Sequence, residues 1–141
     1  MINKIIDAIS VSINSEFGDE YEVYTESTKQ GLKEPCFSVF CLNPTNRLFM
    51  NKRYFRTNQF CIQYFPSSDE QKAECNSVLE RLYDSLEIIN MEGDLTKGTN
   101  MKSEFVDGVL NFFINYNMFM YRVEEKTFME ALKTQNNVSK E

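Results

Sequence analysis

The segment Gly31–Pro66 has the sequence GLKEPCFSVFCLNPTNRLFMNKRYFRTNQFCIQYFP. It contains two apolar, aromatic-rich runs, Cys36–Leu42 and Gln59–Phe65, which are bounded by prolines. The basic segment Arg47–Arg56 lies between them. Apolar runs bounded by turn-forming residues are typical of strands, so we predict two strands joined by a long charged excursion. The segment contains no recognisable catalytic or ligand-binding motif.

Both predicted strands have a regular alternation of side chains. In the first strand, apolar residues fall on both faces, which predicts a central strand that is covered on both sides. In the second strand, Phe60, Ile62 and Tyr64 share one face. The NPTN sequence at 43–46 follows the first strand and predicts a turn.

Two amphipathic helices are predicted on either side of this pair of strands. Apolar residues recur at helical spacing over Ile2–Phe17, and Gly18 suits a C-terminal cap. Further along the chain, Ser68 as N-cap and Gln71 three residues later match a capping box. This pattern predicts a second helix over Asp69–Leu86.

The C-terminal third has the pattern of a hairpin. Asp107-Gly108, a dipeptide favoured in type I′ turns, separates Met101–Val106 from the unusually long alternating run Val109–Arg122. We therefore predict one α+β domain over residues 1–125, with an antiparallel or mixed sheet and both helices packed on it. Residues 126–141 form a polar extension, expected to be flexible or to form an interface.

The composition excludes several classes of function. The 141 residues suit one domain, and the net charge of −6 disfavours a nucleic-acid binder held by bulk electrostatics. The chain has no histidine, so it lacks the commonest general base and metal ligand. We expect no cofactor, no metal and no sequence-specific nucleic acid. The periodic N-terminus is not typical of a signal peptide, no apolar run is long enough to span a membrane, and no membrane partner is expected.

The four cysteines form no CxxC pair, which leaves a zinc ribbon or redox motif unsupported. We expect buried, reduced thiols that act as small hydrophobic residues. They are Cys36, Cys41, Cys61 and Cys75.

The basic segment 47–56 allows three interpretations. It is a solvated hairpin arm with a few anchoring aromatics, an assembly loop that contacts a neighbouring subunit or another protein of the same assembly, or a nucleic-acid patch. Aromatic residues combined with arginine are enriched at interface hot spots, which favours assembly among the functional interpretations. The predicted assembly interface comprises Arg47, Phe49, Met50, Lys52, Arg53, Tyr54 and Arg56.

Four short motifs carry a family resemblance: EPCF at Glu34–Phe37, RYFR at Arg53–Arg56, YFP at Tyr64–Pro66 and VDGVL at Val106–Leu110. With them, the chain resembles the phage tail terminator family of Gram-positive prophages and phage-like particles. The resemblance runs from about Ile5 to Arg122. It implies a mixed sheet packed on helices and a structural role rather than an enzymatic one.

The resemblance also implies partners and a location. Related tail terminators form a sixfold ring on the last ring of the tail tube and stop further tube addition. In complete phages the ring meets head-completion proteins, in headless tail-like bacteriocins it closes the tube as a collar, and in contractile particles it anchors the sheath. The implied partners are further copies of the chain in a hexameric ring, the tail tube protein, and a sheath or head-completion protein. The implied location is the virion or tail-like particle, assembled in the bacterial cytoplasm.

Two other classes of function stay open on the residues alone. One is a small non-catalytic binding or regulatory module. The other is an enzyme that acts through carboxylates and a thiol, which the missing histidine and the lack of a nucleophile motif disfavour. The adjacent carboxylate pairs lie near the ends of predicted elements, where solvation or helix capping explains them.

Overall fold

The computed structural model describes residues 1–26 and 32–121. The predicted polar extension, residues 126–141, and the domain boundary at residue 125 lie outside these ranges, so both stay predictions. Within the described residues the chain forms two helices and eight strands. In chain order they are α1 (Ile2–Phe17), β1 (Glu22–Tyr24), β2 (Cys36–Met50), β3 (Arg53–Phe65), α2 (Gln71–Ser85), β4 (Ile88–Met91), β5 (Asp94–Lys97), β6 (Thr99–Val106), β7 (Val109–Asn115) and β8 (Met118–Tyr121).

The main sheet is mixed, which confirms the α+β prediction. Its strand order is β1-β2-β3-β7-β6, with β8 paired to β3, while β4 and β5 form a separate hairpin. β1 runs parallel to β2, with Val23 opposite Phe37. β7 runs antiparallel to both β3 and β6, and Phe112 lies opposite Ile62 on one side and Ser103 on the other.

The chain divides into two compact units. The main unit comprises residues 1–46 and 56–118. The arm unit comprises residues 47–55 together with the chain from Phe119 onward, of which residues 119–121 are described.

The core of the main unit lies between the helices and one face of the sheet. The apolar stripe of α1 and that of α2 pack together with inward-facing residues of β2, β3 and β7. Phe37 sits at the centre of an aromatic group, with its ring 4.9 Å from those of both Phe17 and Tyr64. Full burial of an apolar side chain of this size stabilises the folded state by about 1.5–3 kcal/mol relative to leaving it exposed. The largest are Tyr64, Tyr116, Phe37, Phe60 and Phe112.

Both predicted helices exist, but the predicted capping box of the second is wrong. α2 begins at Gln71, its N-cap is Glu70, and no side chain caps it. The carboxylate of Glu74 instead accepts the backbone N–H groups of Ser67 (3.1 Å) and Ser68 (2.9 Å) and the hydroxyl of Tyr64. An ionised carboxylate is a stronger hydrogen-bond acceptor than the neutral hydroxyl of a serine cap. These bonds therefore hold the β3–α2 connection against the first turn of the helix.

The predicted turn at residues 43–46 is also wrong, because β2 continues through it to Met50. β1 pairs β2 only at residues 36–38, so the missing N–H of Pro44 breaks no bond on that side. Asn43, which precedes Pro44, takes the left-handed conformation with a φ of 43°. The hydroxyls of Thr45 and Thr57 share a hydrogen bond, and Arg56 Nε donates to Asn46 Oδ1 at 3.2 Å.

The long strand predicted over residues 109–122 is divided in two, and a buried asparagine explains the break. Asn58 is almost fully buried. Its backbone carbonyl accepts the N–H of Tyr116 (2.9 Å), and its side-chain Nδ2 donates to the carbonyl of Tyr116 (3.1 Å). Its backbone N–H donates to Asn117 Oδ1 (3.2 Å). The two bonds that involve a side chain interrupt the regular ladder at residues 116–117, so β7 ends at Asn115 and β8 begins at Met118.

Candidate assembly surface

The arm unit is built around a hairpin. β2 ends at Met50, Asn51 and Lys52 form the turn, and β3 begins at Arg53. Asn51 takes the left-handed conformation (φ 51°) that asparagine tolerates well in tight turns. The predicted hairpin arm is therefore confirmed as a hairpin.

An aromatic cluster holds the arm unit together. The ring of Phe119 lies 5.3 Å from that of Phe49 and 4.9 Å from that of Phe55. The Arg53 guanidinium carbon lies 4.1 Å from the centre of the Phe119 ring, with Phe49 at 5.5 Å and Tyr121 at 5.8 Å. A cation over aromatic faces is stabilised by about 0.5–2 kcal/mol, more as it is desolvated.

Arg53 has the geometry of an internal anchor. Its Nε is buried and has no hydrogen-bond partner among the described residues, and the side chain packs against the rings around it. Removing Arg53 should therefore loosen the arm as well as remove a charge.

The arm unit exposes large apolar side chains. Their exposed fractions run from 43% for Phe119 to 68% for Tyr121, with Leu48, Phe49 and Met50 between these values. Arg47, Leu48, Phe49, Phe55 and Phe119 line an open groove of about 340 Å³. Clustered exposed apolar side chains are typical of protein interaction sites.

The structure places the predicted interface residues in two groups. Six of them lie on the arm hairpin: Arg47, Phe49, Met50, Lys52, Arg53 and Tyr54. Arg56 instead belongs to the main unit, where it is bonded to Asn46.

Sequence reasoning missed three aromatic members of the arm unit: Phe55, Phe119 and Tyr121. Phe119 and Tyr121 are about 65 residues away from the arm along the chain, and only the pairing of β8 with β3 brings them to the arm. One sequence feature could have indicated them. Phe113 and Phe119 stand among asparagines on the polar face of the long alternating run, and an aromatic residue on a polar face indicates packing against another segment.

The face of the main sheet opposite the core is only half buried. Phe40, Phe65 and Phe113 lie on it, and Lys102 Nζ sits 5.9 Å from the centre of the Phe113 ring. A cavity of about 340 Å³ opens beside Phe40 and Phe65. β2 lies between β1 and β3, which confirms the prediction of a central strand. The predicted covering of both faces is wrong, because the second face is only partly buried.

Burial raises the pKa of all four cysteine thiols, so none of them is activated as a nucleophile by a lowered pKa. All four cysteines are free, and Cys36, Cys61 and Cys75 are buried. Burial raises the pKa of each of these three thiols to about 11, and nearby carboxylates add to the effect at Cys36 and Cys75. Thiols with raised pKa values are poor nucleophiles at neutral pH.

Neither a metal site nor a membrane span is found among the described residues. No group of three or more side chains capable of holding a metal ion occurs within residues 1–26 and 32–121. In the same ranges, neither helix has the length and apolarity needed to cross a membrane.

Comparison with known proteins identifies a family. A family model described as phage tail terminator protein matches residues 4–127. No curated protein matches the sequence. Several solved structures are similar, and one of them has 12% sequence identity and a TM-score of 0.40, over 85% of this chain and 97% of that one. This weak structural likeness adds nothing to the family match.

Proposed function

Because the chain belongs to the phage tail terminator family, we propose that it forms a closed ring, a hexamer, on the end of a tail tube. The family consists of structural, non-catalytic proteins that are associated with the phage tail and interact with other tail components. In this proposal the ring stops tube polymerisation and presents the surface that joins the tube to the next component.

The exposed aromatic surface of the arm unit carries this proposal. Four large apolar side chains of the arm unit are each more than half exposed: Leu48, Phe49, Met50 and Tyr121. Clustered exposed apolar side chains are typical of protein interaction sites, which supports a partner surface that covers them. When one surface contacts a different surface on the next copy, repetition about an axis closes a ring.

The ring can serve two kinds of particle. In a complete phage it would receive head-completion proteins, and in a headless tail-like bacteriocin it would close the tube as a collar. A contractile sheath would add one more partner at the same end. Each role uses binding surfaces alone and needs no catalytic group.

A tube-growth experiment tests the proposal. The tail tube protein is polymerised with and without this chain, and tube lengths and ends are imaged by electron microscopy. We expect shorter tubes that carry a ring of this protein at one end, at a ratio of one ring per tube. Tubes of unchanged length with bare ends would contradict the proposal.

A further inference from the structure

A groove with an acidic rim runs between α1 and the edge strand β1 in the main unit. It has a volume of about 510 Å³, within the usual range for binding sites. Its walls come from one side of α1, from the α1–β1 connection and from β1 itself. The lining residues are Ser10, Val11, Asn14, Ser15, Asp19, Tyr21, Glu22 and Val23.

The strand that borders this groove has one unoccupied side. β1 is the first strand in the order of the main sheet, and β2 is its single neighbour among the described residues. Its outer backbone N–H and C=O groups therefore have no paired strand within residues 1–26 and 32–121. Such an edge is a template for another chain segment.

The groove is acidic and has one exposed apolar residue. Asp19 and Glu22 stand on its walls, and Glu20 lies between them in the sequence. Within the described ranges no cation pairs with these three carboxylates, whereas the neighbouring Glu16 is bonded to Arg81 at 2.9 Å. Val11 is 68% exposed beside them.

The arm hairpin has the opposite character. Residues 47–56 contain four basic residues and no acidic one. Arg47 and Lys52 are exposed, and Leu48, Phe49 and Met50 add apolar surface at the same tip. Basic and apolar groups on the arm thus match the acidic and apolar groups of the groove.

We propose that the arm hairpin of one copy docks into the α1–β1 groove of the next copy. This inference rests on the proposed ring and specifies the two surfaces that build it. Arg47 and Lys52 lie against Asp19 and Glu22, and the apolar tip covers Val11. Because donor and acceptor surfaces differ, each copy uses both, and the contact repeats head to tail until the ring closes.

Charge reversal tests the docking. The groove variant is Asp19→Lys with Glu22→Lys, and the arm variant is Arg47→Glu with Lys52→Glu. Each should raise the chain concentration needed for ring assembly by about tenfold or more, since like charges then face each other. The combined variant, with all four changes in one chain, should assemble within about threefold of the original. A control, Glu80→Lys with Asp84→Lys, changes the charge equally on exposed positions of α2 and should leave assembly unchanged.

Crosslinking identifies the contact independently of charge. A photo-reactive residue replaces Phe49, and ¹⁴N-labelled and ¹⁵N-labelled chains are mixed before assembly on the tube. The expected crosslinks join Phe49 of one chain to residues 10–23 of another. If rings form but Phe49 crosslinks elsewhere, or only within its own chain, the docking is refuted and the proposed function stands. If neither the chain alone nor the chain with its tube forms a ring, the proposed function fails, and this inference fails with it.

Discussion

Individual polar side chains decide where the strands of the main unit end. Tyr116 is buried, and its hydroxyl donates to the carbonyl of Leu86 at 2.5 Å, at the C-terminal end of α2. The backbone of the same residue is bonded on both sides to Asn58. Tyr116 thus links the C-terminal end of α2 to the sheet at the point where β7 ends. Burial raises the pKa of its hydroxyl, which therefore stays protonated.

Changing Tyr116 to Phe should destabilise the main unit by about 1–3 kcal/mol, because the buried carbonyl of Leu86 loses its partner. Chemical denaturation measures the loss. Tyr83→Phe is the matched control, since Tyr83 packs on Phe112 through its ring. Equal stability of the two variants would contradict this role for the hydroxyl.

The Glu74 carboxylate makes stability depend on pH. Burial tends to raise its pKa, but hydrogen bonds from Ser68, Tyr64 and Ser67 outweigh burial and lower it below the usual glutamate value. A lowered folded-state pKa gives stability that is present above the unfolded-state pKa and is lost as pH falls through the folded-state pKa.

The free energy of unfolding of the original chain should therefore exceed that of Glu74→Gln at neutral pH. The difference should shrink as pH falls below the ordinary glutamate pKa. Denaturation series at several pH values measure it. A difference that grows on acidification would show that the carboxylate is not stabilised in the folded state.

The four thiols should differ in reactivity. Cys41 is only partly buried, and burial raises its pKa, whereas Cys36, Cys61 and Cys75 are buried and have pKa values of about 11. A thiol reagent applied to the native protein should modify Cys41 first, as followed by mass spectrometry. Fewer than four thiols in the freshly prepared, unfolded protein, stoichiometric zinc, or earlier modification of Cys75 would contradict this assignment.

At the scale of elements, the sequence correctly predicts the helices and strands that depend on a periodic spacing of apolar residues. α1 follows from its apolar spacing, and its predicted end at Gly18 is confirmed. The turn predicted at residues 43–46 is wrong because β2 continues through Pro44, which lies beyond the residues of β2 that pair with β1. This depends on the order of strands in the sheet and not on the local sequence. The predicted single strand over residues 109–122 is wrong because Asn58, 58 residues away from Tyr116, forms hydrogen bonds that interrupt the strand ladder.

The arm shows the same division between local and long-range information. Its basic and aromatic composition is visible in residues 47–56, and the hairpin follows from it. The stacking of Arg53 on Phe119 depends on β8, so no local pattern could predict it. The assignment of the arm as an assembly interface stays a prediction.

Changing both Phe49 and Arg53 to Ala should leave the main unit folded but impair ring formation and tail docking. Truncated hot spots typically cost about 2 kcal/mol or more each. Incorporation into particles and the unfolding of the main unit are measured together. Leu95→Ala, an exposed position on the β4–β5 hairpin, is the control. Full incorporation of the double variant would remove the arm from the interface.

At the scale of the whole molecule, charge bears on how copies are arranged. A ring that passes DNA needs a neutral or acidic bore, because a basic lining would bind phosphates. The net charge of −6 per chain suits such a lining. Lys52, Arg53 and Arg56 should therefore face protein and not the central channel.

In the proposed function, copies of this chain form a closed ring at the end of the tail tube. Cryo-electron microscopy of tail ends, with the tube resolved, tests it most directly. We expect a closed ring, sixfold like the hexamer proposed, with the arm hairpin of each copy at the joint to the next. A single isolated copy at the tail end would show that no ring forms, and a ring in which Lys52, Arg53 and Arg56 project into the bore would refute the placement of the arm.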